Sequence, residues 1–76
     1  MKKKVLVIGG AGFIGSNLSR HLIKNDMEVY CFDMSKPVHE IAGVNYICGD
    51  FFDDYTLEHA LEGMDYVVHA LSTVNP

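Results

Sequence analysis

Three glycines, Gly9, Gly12 and Gly15, recur at every third position in "VLVIGGAGFIGSNL", residues 5–18. An apolar run precedes them and a helical pattern follows. Such a run at a strand-to-helix turn lets a ligand approach the main chain closely. Gly9 permits a tight turn, because a residue without Cβ adopts positive φ at no steric cost. Gly12 removes a Cβ where a pyrophosphate would lie against the backbone. Gly15 lets the helix settle against the sheet. The first N–H groups of that helix, and its dipole, favour negative charge. The string also fits Gly10-x-Gly12-x-x-Gly15. Glycine spacing alone is a weak signal, and its context adds to it: Asp33 follows Gly15 by 18 positions, at the end of a second strand-like run. A carboxylate there accepts both hydroxyl protons of an adenosine ribose and repels a 2'-phosphate. The expected cofactor is therefore NAD rather than NADP. Lys36 argues the other way, but the glycine loop itself holds no Arg or Lys. The plainer alternative makes Asp33 a turn residue opening "DMSKP". Asp50, after Gly49, is placed to accept from an adenine amino group with Phe51 lining the pocket, or else it opens a turn. Asp53 and Asp54 fit a helix cap rather than a catalytic carboxylate pair, and no metal-ligand spacing is present.

The elements that would position these residues follow from periodicity. Lys4 to Ile8 is a continuous apolar run, the pattern of a parallel strand covered on both faces. From Phe13 to about Lys24, Ile14, Leu18 and Leu22 recur every four residues, predicting an amphipathic helix with Asn25 as its left-handed stop. Glu28 to Phe32 predicts a second strand. Pro37 argues against a long helix in "SKPVHEIAG". Val44 to Cys48 predicts a third strand. "DDYTLEHALEG" predicts a helix capped by Asp53 or Asp54, with Leu57, Ala60 and Leu61 inward and Gly63 at its end. Tyr66 to about Ala70 predicts a fourth strand. The order β-α-β-β-α-β implies a doubly wound parallel sheet of Rossmann type with strand order 3-2-1-4. Every unusual residue then falls beyond a strand's carboxyl end.

Composition excludes other classes. Seventy-six residues make one domain, 1–76, and 49% apolar content is too high for a disordered chain. A net charge of -4, with Lys2-Lys3-Lys4 as the only basic cluster, offers nucleic acid little. No apolar run reaches the ~20 residues of a membrane span, and the run after the lysines is too short for a signal peptide. Cys31 and Cys48 read as reduced, buried residues of a cytoplasmic protein. A functional thiol is the sharper alternative.

"GGAGFIGSNL", "FD" at 32–33, "GD" at 49–50 and "DYVVHALS" at 65–72 together resemble the extended short-chain dehydrogenase/reductases, the NAD-dependent epimerases and dehydratases of nucleotide sugars. The tail "HALSTVNP" looks most like the UDP-sugar 4-epimerases. The resemblance implies that Gly9, Gly12, Phe13, Ile14 and Gly15 hold the pyrophosphate and Asp33 the ribose. Met34 lies beside the adenine, with Asp50 and Phe51. Ala70, Leu71 and Ser72 pass along the ribose and nicotinamide side, and Thr73 nears the sugar. His69 is structural, and His21, His39 and His59 share no site. The family's Tyr-x-x-x-Lys pair has no counterpart, because Met34, Asp50, His59 and Ala70 lie four positions after Tyr30, Tyr46, Tyr55 and Tyr66. The resemblance thus implies the N-terminal, NAD-binding portion of an epimerase or dehydratase, inactive alone, that meets its nucleotide sugar only within a full-length parent. A non-enzymatic dinucleotide-binding or sensing module and a piece of an NADP-linked reductase are the alternatives. The far edge of the fourth strand is bare and apolar, so a homo-oligomer through that edge is expected.

Overall fold

A computed structural model describes residues 2–9, 11–37, 39–50 and 52–70. Its elements are β1 (Lys4–Ile8), α1 (Phe13–Lys24), β2 (Glu28–Asp33), β3 (Val44–Cys48), α2 (Asp54–Leu61) and β4 (Tyr66–His69). The strands form one sheet in the order β3-β2-β1-β4, parallel throughout. Val5 pairs with Val29 on one side and Tyr66 on the other, and Phe32 with Ile47.

Strand alternation sorts the core into two layers. Val5, Val7, Val29 and Cys31 face α1 and pack with Leu18, Leu22 and Ile23. Leu6, Ile8 and Phe32 face the other way and pack with Leu57, Ala60 and Met64 of α2 and its exit. Strand β1 is central and covered on both faces, which is why its apolar run is unbroken. The helices lie on opposite faces because the strand order reverses between β1 and β4, and that reversal opens a crevice at the carboxyl ends. Residues 34–43 join β2 to β3, with no helix among the described residues there. Among the described residues no helix is long and apolar enough to cross a membrane.

Several expectations are corrected. Asn25 has φ -94, and the left-handed residue is Asp26 at φ 63, one position later. Strand β2 runs on to Asp33, whose carbonyl accepts the Gly49 N–H at 3.0 Å, while β4 stops at His69. Ile14 is 58% exposed, while its neighbour Gly15 takes the buried position in the first turn of α1. Leu61 is also exposed, since Leu57, Ala60 and Met64 take the core stripe and Leu61 lies to its side. Cys31 is buried but Cys48 is exposed: it ends the edge strand β3, and its thiol donates to the Met34 carbonyl. Of the two candidate caps for α2, Asp53 is the cap, accepting the Tyr55 and Thr56 N–H groups.

Candidate dinucleotide site

The two helices begin in different ways. Helix α2 has a side-chain cap: Asp53 Oδ1 takes two first-turn N–H groups, and Oδ2 accepts the Thr56 hydroxyl at 2.8 Å. The bonds to the Thr56 hydroxyl and N–H hold the Asp53 carboxyl below the usual carboxylate range. Helix α1 starts at Gly12, which offers no side chain, and its first turn carries no acid. A helix leaves its first N–H groups without intrahelical partners. At α1 those groups and the positive dipole end face the crevice at the carboxyl ends of the strands.

The turn before α1 is built for close approach. Gly9 has φ +85, a left-handed conformation that a side chain would strain. Its N–H continues the ladder to the Phe32 carbonyl at 2.7 Å. A Cβ placed on Gly12 would meet only the Gly9 oxygen, at an ordinary 3.8 Å. Among the described residues, then, packing does not require glycine at position 12. The surface it bares lies over the helix start, and a phosphate group fits there on size, charge and donor chemistry. Gly15 is buried against the sheet.

Asp33 stands where the sequence places it, at the end of β2 beside this loop. Its Oδ2 accepts the Ala11 N–H at 3.0 Å, and its Oδ1 accepts the Met34 N–H at 2.7 Å. Met34 is half exposed next to it. Asp50 follows β3 and is exposed, and its Oδ1 accepts the Phe52 N–H at 2.9 Å, so it makes the turn bond as well as lying at the crevice. Phe13 is 84% exposed at the start of α1. Ala70 follows β4, and its N–H reaches the Ile8 carbonyl at 2.8 Å. Phe51, Leu71 and Ser72, together with Gly10 of the second glycine spacing and Thr73, lie outside the described residues. His69 is exposed and pairs in register with Ile8.

Two side chains missed from the sequence flank this site. A groove of about 300 Å³ is lined by Ala11, Gly12, Ser16 and Arg20 on one side and by Pro37 and His39 on the other. Gly12, Ser16 and Arg20 are four apart, and that spacing marks one helix face. No comparable signal exists for His39, whose position depends on the path of the loop after β2. Tyr30, by contrast, hydrogen-bonds Glu28, and that bond, with burial second, pushes its phenol up.

The chain matches the NAD dependent epimerase/dehydratase family over residues 5–75. It is 40% identical over 67 residues to a 2-alkyl-3-oxoalkanoate reductase of Stenotrophomonas maltophilia, covering 87% of this chain and 20% of the reductase. It superposes with TM-score 0.79 and 36% identity on an epimerase of Methanothermobacter thermautotrophicus, covering 93% of this chain and 23% of that one. An enzyme of Bordetella bronchiseptica solved in complex with NAD and UDP gives TM-score 0.78 at 28% identity, covering 100% of this chain and 27% of the enzyme. The chain thus spans roughly a fifth to a quarter of the length of these relatives. Fold order, glycine turn and strand-end acid agree with the match along nearly the whole sequence: the chain belongs to the NAD dependent epimerase/dehydratase family.

Proposed function

We propose that this chain is the NAD-holding portion of an enzyme that epimerises or dehydrates a nucleotide sugar, with a UDP-sugar as substrate. The observation that carries the reading is the unlike start of the two helices: α2 has a side-chain cap, and α1 presents an uncapped, acid-free first turn behind a left-handed glycine. The pyrophosphate lies over Gly12 to Gly15, with Phe13 and Ile14 exposed at its edge. Asp33 takes the adenosine ribose, and Met34, Asp50 and Phe51 border the adenine. Ala70, Leu71 and Ser72 lie along the nicotinamide side. NAD supplies a hydride acceptor when bound. The residues of this chain bind and orient it, and none of its tyrosines has a lysine four positions on. The nucleotide sugar and the acid-base chemistry are assigned to a full-length parent. The NAD and UDP of the Bordetella enzyme support this reading. The two free cysteines fit a cytoplasmic setting.

Calorimetric titration with NAD and NADP tests the cofactor assignment. NAD should bind more tightly, and equal affinities would remove Asp33 from the ribose. The groove lined by Arg20 favours a second reading, an NADP-linked reductase, because a 2'-phosphate would meet the Arg20 guanidinium there. A preference for NADP that weakens in Arg20→Ala would select it.

A further inference from the structure

Asp33 is engaged before any ligand arrives. Its side chain accepts from the glycine loop through Ala11 and from the loop after β2 through Met34. Its main-chain carbonyl accepts from Gly49 after β3. One residue therefore ties together the segments that leave three strands. Among the described residues of the glycine loop, Gly9 N–H is tied to the Phe32 carbonyl at 2.7 Å, and Gly12 N–H reaches Gly9 O at 3.4 Å. The Ala11 bond is charge-assisted and half buried, a stronger kind of tether than a neutral one.

We propose that Asp33 is a positioning residue for the pyrophosphate as well as a ribose contact: its carboxylate latches the Ala11 N–H and so sets the glycine loop that receives the phosphates. The ligand half of this inference rests on the proposed NAD reading; the latch does not. A carboxylate has about four acceptor sites. Two are filled by Ala11 and Met34, and the other two match the two ribose hydroxyls. Ribose and pyrophosphate thus become coupled through one side chain. An asparagine has a single acceptor oxygen. In Asp33→Asn that oxygen stays with the Met34 N–H, the nearer donor at 2.7 Å, and Ala11 loses its acceptor.

The test is amide hydrogen exchange by NMR on the full chain without ligand, wild type against Asp33→Asn. Phosphorus NMR titration with inorganic pyrophosphate, which has no ribose, accompanies it. The Ala11 amide should exchange about tenfold faster in the variant. Gly49, whose partner is the unaltered Asp33 carbonyl, and Val7 and Val29 in the core should not change. In salt high enough to screen the lost charge, pyrophosphate affinity should fall about fivefold, as expected when a charge-assisted tether of the cradle is lost. Unchanged Ala11 exchange overturns the latch. Acceleration of all four amides together also overturns it, since Asp33 then acts on global stability. Faster Ala11 exchange with undiminished pyrophosphate affinity overturns the coupling. If the wild type takes neither pyrophosphate nor NAD, the NAD reading fails while the exchange result still decides the latch. Should Asp33→Asn not fold, Asp33→Ser, with a hydroxyl too short to span to Ala11, gives the same comparison.

Discussion

At the residue scale, the acids of this chain do different work according to what donates to them. Asp53 is held in its charged form by the Thr56 hydroxyl first, then by the Thr56 and Tyr55 N–H groups. Its folded pKa therefore lies below the ordinary 3.8, and the folded chain releases that proton more readily than the unfolded one. The stabilisation is complete above the ordinary value and is lost as pH falls through the folded one. Asp53→Asn keeps a good helix cap but cannot titrate. Its melting temperature should stay near that of the wild type at neutral pH and fall less steeply below pH ~4. An acid limb as steep as that of the wild type would show that other carboxylates set it. For Cys31, burial first, and the charge of Asp33, push the thiol up against the lowering effect of its bond to Ser19. That keeps it an inert part of the core.

At the element scale, the second helix sits so close to the sheet that Gly49 has no room for a side chain. An added Cβ would lie 2.6 Å from Thr56 Cγ2 and 2.9 Å from Phe32 Cζ. Phe32 is fully buried and cannot swing away without opening the α2 layer. Gly49→Ala should therefore destabilise the fold by ~1–3 kcal/mol, the usual cost of overpacking. Urea unfolding would show it as a lower midpoint with an unchanged slope. Thr56→Ser removes the methyl but keeps a hydroxyl for Asp53. Adding it to Gly49→Ala should recover part of the loss, and no recovery would place the clash at Phe32 alone.

At the scale of the whole molecule, the sheet has two unlike edges. Strand β3 is shielded in part by the loop over it, where Tyr46 accepts the Ile41 N–H at 2.9 Å. Strand β4 shows Tyr66 and Val67, 53% and 44% exposed, and among the described residues it pairs on one side only, with β1. An apolar edge of this kind is a template for another strand. We propose that the 76-residue chain self-associates there. Its mean mass by sedimentation should rise with concentration, and Val67→Lys should return it toward the monomer. A variant that associates as strongly as the wild type would exclude that edge.

Much of this architecture was legible in the linear order of residues, because the signals are local. The bounds of β1, α1 and β3 follow from an unbroken apolar run, a four-residue stripe and a short run between turn residues. The glycine turn and Asp33 stood out because backbone freedom and a strand-end acid depend on near neighbours in sequence. Periodicity could not say where a covering layer stops. It therefore misplaced Ile14, Leu61 and Cys48, which are apolar by pattern but exposed. Asp33's grip on Ala11, across 22 residues of sequence, and the pairing of Arg20 with His39 around one groove were likewise decided only in three dimensions. The sequence by itself determined which elements form and which end of the sheet carries the chemistry, since those depend on side-chain period and backbone conformation. The tertiary structure alone decided which residues are covered and which carboxylate holds which loop, since burial and long-range hydrogen bonds exist only once the elements have packed.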